Sequence, residues 1–521
     1  MKVERRQPPI SDYGFLSDCQ SAALVNRAGS IDWWCVPRID SPSVFARLLD
    51  PEAGHWSICP DGDFTTTRAY LSGTLVIRTV FHTPDGEVAV TDAAALALKA
   101  RGHEIGLRVP HLLIRRVEGL AGEVTMTTDF APRMEYGRTE PHLLVGSAGV
   151  VAQGGPARLT MASPVALRAD AGVASASFTV STGDVLEFRL RYAPSFGDEP
   201  APSGEEPTLE ATTSAWQSWS GLHDYDGQFR DEVRRSSLVL QGLTYQPSGA
   251  IVAAATTSLP ERLGGELNFD YRYAWLRDLS LTIRSLWIAA CPEEPRRLLE
   301  WFSNAAGKVG PELFQIMYGV TGERDLYEHT LEHLSGYHGS RPVRVGNDAW
   351  AQVQLDVLGE VLDATYLLRN KLGDLDDSIQ ELLVELADRA AEGWAEPDAG
   401  MWEARDQQRQ YVSSKVMCWV ALDRAISMAD RLGLGADPVR WAIARDEIRA
   451  TVLEQGWSVG AGAYAGSLAS DDLDASVLLL PLVGFLPATD DRICGRRSRP
   501  SSGSWGTGAW CGDGRTTRAG F

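Results

Sequence analysis

The chain has 521 residues, enough for two or three domains with substantial cores, and its 44% hydrophobic and 23% charged residues are typical of a globular protein. Its 69 acidic and 49 basic residues give a formal net charge of -20, which disfavours binding to nucleic acid or to an anionic membrane surface. We therefore expect a neutral small-molecule partner, with no nucleic-acid and no membrane partner.

The N-terminal residues carry positive charge but no apolar run follows them, and no stretch approaches the roughly 20 apolar residues that span a bilayer. This pattern predicts a cytoplasmic location. The seven cysteines are widely spaced and form no C-x-x-C pair, so neither a disulfide framework nor a zinc site is predicted. We expect no metal and no cofactor, and the pattern predicts no particular oligomeric state.

Residues 1–205 are expected to form an antiparallel β-sandwich domain. Short runs of β-branched and apolar residues alternate there with turn signals such as Pro84-Asp85-Gly86. The predicted strands are Leu75–His82, Glu87–Asp92, Leu112–Val117, Val124–Thr127, Ser175–Val180 and Val185–Leu190. Many short strands with regular turns indicate a sandwich.

The stretch from Pro194 to Pro207 is rich in Pro, Gly and acids and is expected to link two domains, with a linker helix in residues 206–226. From residue 227 to residue 490 the apolar periodicity becomes helical. The predicted helices are Asp231–Gln241, Trp275–Ala290, Glu294–Ala306, Asp348–Leu368, Ser378–Gly393, Val412–Leu432, Asp437–Glu454 and Asp471–Val483. Periodicity alone leaves a toroid, a solenoid and a bundle open.

The last residues, 491–521, differ in kind from the rest of the chain. They are rich in Gly, basic within an acidic protein, and without helical or strand periodicity. Because this composition is typical of segments that do not fold, we expect an aberrant, disordered tail.

The stretch Glu396–Arg405 places Trp402 and Glu403 after a turn built from Pro397, Asp398 and Gly400, just before a helix. A carboxyl group beside an indole is partly desolvated, which raises its pKa as a general acid near neutral pH requires. The same pattern also fits an ordinary surface glutamate after a turn. Glu403 is nevertheless the first candidate for chemistry.

A second polar stretch, Asn268–Ser280, contains Arg277 and Asp278 at the start of an apolar helix. Their donors and acceptors suit neighbouring hydroxyl groups of one sugar ring, although a local ion pair near a helix start explains them too. Farther along, Asn347 fits a helix cap and Gln352 lies one turn later, so this helix end is expected to line a polar pocket.

The other motifs give weaker indications of function. Glu328, His329 and His333 lack the H-E-x-x-H order of a zinc site, so an ordinary loop-to-helix surface is favoured. The sequence has no Walker loop, no G-x-G-x-x-G after a strand, no G-x-S-x-G elbow and no kinase motif set. Nucleotide-dependent and serine-hydrolase chemistry are therefore disfavoured.

Taken together, several motifs resemble the bacterial family 15 glycoside hydrolases, the glucoamylase and trehalase-like group. They are Pro9–Asp18, Gly29–Trp33, Asp40–Phe45, Tyr273–Asp278, Gly336–Ser340, Pro342–Asn347, Met401–Glu403 and Ser414–Arg424, so the resemblance extends from about Pro9 to about Asp491. It implies an antiparallel β super-sandwich, a linker helix and an (α/α)6 toroid that binds sugar at its mouth.

The resemblance also implies roles for single residues. Glu403 matches the general acid, and Arg277 with Asp278 matches the pair that grips the non-reducing glucose ring. The full set expected to bind the α-glucoside is Trp275, Arg277, Asp278, Asn347, Trp402 and Lys415. Members of the family invert the anomeric carbon, which requires a second carboxylate roughly 6.5–9.5 Å from the first to activate water.

One departure from the family pattern concerns that second carboxylate. The family's general base is a Glu followed by an Asn-Phe-Pro-Gln-type stretch, and nothing after Asp491 resembles it. The eight predicted helices are also too few to close a toroid, so we expect an incomplete barrel over residues 227–490.

We therefore expect inverting hydrolysis of trehalose or short α-glucans, weakened in this chain because no general base can be assigned. Two alternatives stay open: a disaccharide phosphorylase of similar architecture, and a catalytically dead sugar-binding protein.

Overall fold

The computed structural model describes residues 7–196, 206–223, 225–288, 293–306, 314–370 and 372–494. Residues 197–205 of the predicted linker and the predicted tail from residue 495 onward lie outside the described residues. Within the described residues, none of the helices combines the length and the apolar character that crossing a bilayer requires. The chain divides into two compact units, and the first draws on Met1–Ala274, Ser285–Leu298 and Gly319–Asn347.

The first unit contains a large antiparallel β structure. Its strands are β1 Tyr13–Ser17, β2 Ala22–Asn26, β3 Ser30–Cys35, β4 Ser43–Phe45, β5 His55–Pro60, β6 Thr65–Tyr70, β7 Ile77–Thr83, β8 Gly86–Ala94, β9 Leu112–Ala131, β10 His142–Gly146, β11 Gly149–Gly154, β12 Ala157–Ala162, β13 Arg168–Asp170, β14 Val173–Ser181 and β15 Val185–Pro194. The longest hydrogen-bonded order is β1-β2-β3-β5-β9-β15-β12-β11-β10. The short helical turn α1, Met134–Gly137, follows β9.

Strand β9 belongs to two sheets at once. Its first half pairs with β8 and β15, and its second half pairs with β5 and β14. The predicted strands Leu112–Val117 and Val124–Thr127 are therefore one continuous strand that turns a corner between them. Gly119 and Gly122 lie at this corner; a Cβ on Gly119 would lie 2.0 Å from the carbonyl oxygen of Ser181.

One apolar cluster takes its residues from both sheets. Trp34 and Phe130 come from the sheet that contains the second half of β9, and Phe81 and Phe188 come from the other sheet. All four side chains are fully buried. The two sheets therefore pack against a common core, which is the arrangement of a sandwich.

Helices dominate the chain after the β structure. They are α2 Leu209–Ser220, α3 Arg230–Gly242, α4 Leu276–Ile288, α5 Glu293–Ala306, α6 Asp356–Leu368, α7 Asp377–Gly393, α8 Val412–Ser427, α9 Pro438–Gln455, α10 Leu479–Leu482 and α11 Asp491–Cys494. The second compact unit draws on Trp275–Arg284, Leu299–Tyr318 and Asp348–Phe521. Helices α6, α7, α8 and α9 pack against one another within that unit, and the most extensive contact is between α6 and α8.

Three further predicted elements differ from the structure. The helix expected over Asp348–Leu368 is split into a 3-10 turn, Asp348–Ala351, and helix α6, because Leu355 donates its backbone N–H to the Asp398 carboxylate, 3.0 Å away, instead of to a helical carbonyl. Most of the helix expected over Asp471–Val483 is loop, with a 3-10 turn at Ala475–Leu478 before α10.

The third difference concerns the start of the predicted tail. Asp490 caps α11 by accepting the backbone N–H of Arg492 at 2.8 Å. The Arg492 guanidinium lies 5.7 Å from the ring centre of Trp457 and donates to the carbonyl of Leu453. The expectation of disorder from residue 491 is therefore wrong for Asp491–Cys494, because a cap and two packing contacts hold this turn.

Candidate active site

Glu403 lies in a loop that is closed at its base by two backbone hydrogen bonds. Asp398 and Arg409 exchange N–H to carbonyl bonds of 3.0 Å in both directions. The fully buried Asp398 side chain also accepts from the backbone of Leu355 and, at 2.7 Å, from the Ser414 hydroxyl. The loop base is thus fixed to the start of α6 and to the first turn of α8.

The tip of this loop has an unusual backbone. Gly400 has φ +68, and a Cβ there would lie 2.7 Å from the ring of Tyr411. Glu403 itself has φ +58, a left-handed conformation that side-chain-bearing residues rarely adopt. Its backbone N–H donates to the carbonyl of Gly400 at 3.1 Å. The tight turn therefore sets the direction in which the Glu403 carboxyl points.

Two donors hold one oxygen of that carboxyl. The indole Nε1 of Trp275 donates to Glu403 Oε1 at 2.6 Å, and Nη2 of Arg277 donates to the same oxygen at 3.1 Å. Only 19% of the Glu403 side chain is exposed. Burial raises the pKa of Glu403 above its ordinary value, while Arg277 and then the Trp275 N–H oppose the rise.

Arg277 joins this carboxyl to the start of α6. Its Nη1 donates to Gln354 Oε1 at 2.8 Å and to Asp356 Oδ2 at 3.0 Å. Burial also raises the pKa of Asp278, against the opposing charge of Arg277. The structure thus brings Trp275, Arg277, Asp278 and Glu403 together.

Three polar groups of the site were not predicted from the sequence. Gln354 and Asp356 bind Arg277, and the Gln354 amide also donates to Gln352 Oε1 at 3.0 Å. Asp398 fixes the loop base. A signal for the first two existed, namely polar residues at the start of an apolar helix, but the segment was predicted to be continuous helix.

The other expected sugar-binding residues lie in different settings. The Trp402 indole is 45% exposed and donates to the carboxylate of Asp474, not to Glu403. Lys415 is fully buried in α8, where its ammonium donates to the backbone carbonyl of Glu396, and burial lowers its pKa. Asn347 belongs to the first unit, and its amide donates to the carbonyl of Asp270.

A polar cavity of about 400 Å³ adjoins the loop. Its lining includes Asp348, Gln352, Arg405 and Asp406. The Gln352 amide donates across it to the carbonyls of Glu403 and Ala404, each at 3.4 Å. As expected from the sequence, Gln352 lines a polar pocket and contacts the loop, although it follows a 3-10 turn instead of lying within a helix.

Two family models match the chain. Residues 227–507 match the family model for glycosyl hydrolases family 15, and residues 3–207 match the model for trehalase-like N-terminal domains. The match thus continues past Asp491, where the sequence resemblance was expected to end.

Two relatives are similar over nearly the whole chain. A trehalase from Mycolicibacterium smegmatis is 37% identical over 513 residues, which cover 93% of this chain and 76% of that protein. A trehalase from Mycobacterium tuberculosis is 36% identical over 93% of this chain and 74% of its own length.

Among solved structures, a bacterial glucoamylase complexed with acarbose superimposes with a TM-score of 0.67 at 13% identity, covering 92% of this chain and 77% of that one. This likeness shows the fold: an antiparallel β domain followed by a helical domain of the (α/α)6 type, as expected. The chain is an enzyme that belongs to the glycosyl hydrolases of family 15.

Proposed function

We propose that the enzyme hydrolyses the α-glucosidic bond of trehalose or of short α-glucans with inversion, and that Glu403 is the general acid. One observation carries the proposal: a buried carboxyl with a raised pKa is held by Trp275 and Arg277 at the tip of a fixed loop. The trehalases that resemble the chain over most of its length support trehalose as the substrate.

In this proposal, the hydrogen bonds of Glu403 determine which of its two oxygens carries the proton. Oε1 of Glu403 accepts from two donors, so in the neutral acid the transferable proton lies on Oε2. Oε2 gives this proton to the leaving glycosidic oxygen as the bond to the anomeric carbon breaks. The carboxylate that remains is stabilised by the charge of Arg277 and by the Trp275 N–H.

The remaining site residues bind the sugar or fix the loop. Arg277 and Asp278 bind hydroxyl groups of the non-reducing glucose ring, and the exposed face of Trp402 contacts the substrate beside the acid. Lys415 supports the loop through the carbonyl of Glu396.

We also propose that hydrolysis by this chain is slow. Inversion requires a second carboxylate that binds the attacking water. Of the described carboxylates joined to the Glu403 cluster, Asp356 is held by Arg277, 3.0 Å away, and Asp278 is buried beside the same arginine. Neither is assigned as the base, and loss of a base typically lowers the rate by about 10²–10⁴-fold.

Glucose release from trehalose and maltose tests the proposal. The parent chain should release glucose, at a rate well below that of the trehalase from Mycolicibacterium smegmatis, and Glu403→Gln should abolish the release. Glu396→Gln is the matched control, because Glu396 is a half-exposed carboxylate of the same segment that pairs only with Arg389 among the described residues. Full activity in Glu403→Gln would refute the role of Glu403. Release of glucose 1-phosphate that requires phosphate would instead identify a phosphorylase.

A further inference from the structure

Trp402 is attached to a second loop of the same unit. Its indole Nε1 lies 3.0 Å from both carboxylate oxygens of Asp474, 72 positions later in the chain. The residue is 45% exposed and directly precedes Glu403. A large aromatic side chain beside the acid is therefore held by its polar edge while much of its surface faces solvent.

Asp474 is fixed independently of Trp402. Its Oδ1 accepts the backbone N–H of Ser476 at 2.7 Å, which caps the turn Ala475–Leu478. Gly466 lies so close that a Cβ there would be 2.7 Å from the Cβ of Asp474. Gly466 is in turn bound to the N–H of Val412, the first residue of α8. The carboxylate thus has a defined position before the indole binds to it.

The start of α8 holds both loops. Its Ser414 hydroxyl binds Asp398 at the base of the acid loop, and its Val412 N–H binds the loop that carries Asp474. A charge-assisted hydrogen bond restricts the rotation of an indole about its two side-chain bonds. The plane of the Trp402 ring is therefore set relative to Glu403.

We propose that Asp474 is a positioning residue that holds the Trp402 indole as a platform for the leaving-group sugar ring. This inference rests on the proposed function, since the ring that receives the proton from Glu403 must lie beside that carboxyl. Flat aromatic faces bury the apolar face of a sugar ring, and a ring held in place loses less entropy when substrate binds.

Two substrates separate this role from a merely structural one. Trehalose has a leaving sugar, whereas α-D-glucosyl fluoride has only fluoride as its leaving group. Asp474→Ala should raise KM for trehalose about fivefold, as expected for the loss of one hydrogen bond, and leave KM for the fluoride unchanged. Asp474→Asn, which keeps one acceptor oxygen, should stay close to the parent.

Two further variants test whether Asp474 acts through the indole. Trp402→Phe keeps a ring without an N–H, so adding Asp474→Ala to it should produce no further increase of KM. Asp437→Ala is the matched control, because Asp437 also caps a helical segment, by accepting from Arg440 N at 3.1 Å, and directly precedes α9, outside the acid loop and the loop that carries Asp474. It should leave both KM values unchanged.

Calorimetric binding of trehalose in a Glu403→Gln background gives a second measurement that needs no turnover. The Kd should increase with Asp474→Ala and not with Asp437→Ala. Equal effects of Asp474→Ala on both substrates, additive effects with Trp402→Phe, or an unchanged Kd would overturn the inference while the proposed function stands. If the parent neither cleaves nor binds trehalose, the proposed function fails and the inference fails with it.

Discussion

The indole N–H of Trp275 lies 2.6 Å from Oε1 of Glu403, although 128 positions separate the two residues in the chain. Trp275 directly precedes α4, and Glu403 lies at the tip of the loop before α8. The contact therefore joins two distant segments at the proposed acid. It also makes the ionisation of Glu403 dependent on an uncharged neighbour.

Trp275→Phe should move the alkaline limb of the pH profile of kcat/KM to higher pH. The indole N–H stabilises the charged form of Glu403, so its loss raises the pKa of that carboxyl further and keeps the acid protonated at higher pH. The maximal rate should fall about tenfold, because the carboxyl loses one of the hydrogen bonds that orient it. Trp402→Phe is the control: it alters the indole bound to Asp474 and should leave the alkaline limb in place. A shift of the alkaline limb to lower pH in Trp275→Phe would contradict this account.

Arg277→Lys should lower kcat/KM for trehalose by about a hundredfold while the protein stays folded, since lysine keeps the charge but not the forked donors. Nη2 of the arginine donates to Glu403, and Nη1 donates to Asp356 and Gln354. Arg277→Met also removes the charge and leaves buried Asp356 unpaired, which should cost about 3–5 kcal/mol of stability. Thermal unfolding should therefore distinguish the two variants, and equal melting temperatures would argue against the ion pair.

Asp398→Asn should stabilise the protein at pH 7 and not at pH 4. Burial raises the pKa of Asp398 to about 6 in the folded protein, whereas the pKa in the unfolded chain is near 4. The neutral carboxyl therefore contributes its full stability below pH 4, and this contribution is lost as the pH rises from about 4 to about 6. The loss amounts to about 3 kcal/mol. Asparagine stays neutral and can still bind Leu355 N and the Ser414 hydroxyl.

Melting temperatures at the two pH values check this prediction. Asp376→Asn is a useful control, because its pKa is shifted in the opposite direction. Hydrogen bonds from Ser378 and Ile379 lower the pKa of the exposed Asp376 carboxyl, which caps α7. Its carboxylate stabilises the protein at neutral pH, so the asparagine should bring no gain at pH 7. A gain of equal size at pH 4 and pH 7 for Asp398→Asn would rule out the linkage.

Glu360→Gln should raise the melting temperature more at pH 8.5 than at pH 5. Glu360 lies on α6 between Asp356 and Asp363, which are paired with Arg277 and Arg284, and burial raises its pKa to about 8. Ionisation of the buried group thus destabilises the fold progressively from about pH 4.5 to pH 8. Differential scanning calorimetry at both pH values measures the effect, and an equal gain at both would exclude a titration of Glu360.

Much of the fold could be predicted from local patterns. The alternation at Val173–Ser181 and the helical period at Pro438–Gln455 depend only on neighbouring residues, and both elements were predicted to within a few residues. The continuity of β9 could not be predicted, because the exposed, Gly-containing stretch at its corner resembles a loop. The break before α6 depends on Asp398, 43 positions away from Leu355.

The site was predicted less completely, for a similar reason. Glu403 and Arg277 stand in recognisable local motifs, but the role of each remains a prediction that the proposed variants test. The residues that support them reach the site from distant parts of the chain: Asp356 is 79 positions from Arg277, and Asp474 is 72 positions from Trp402. No local pattern distinguishes such an aspartate from an ordinary helix cap.

The left-handed backbone of Glu403 has a consequence for engineering. Any residue with a Cβ pays roughly 1–2 kcal/mol in that conformation, and glycine does not. A library selected for heat resistance alone would therefore accept glycine at position 403, and discard the carboxyl, wherever the relief of strain exceeds the loss of the hydrogen bonds from Trp275 and Arg277. The codon for position 403 should therefore be kept unchanged when this enzyme is engineered for stability, because a glycine variant that folds better would also lose its activity.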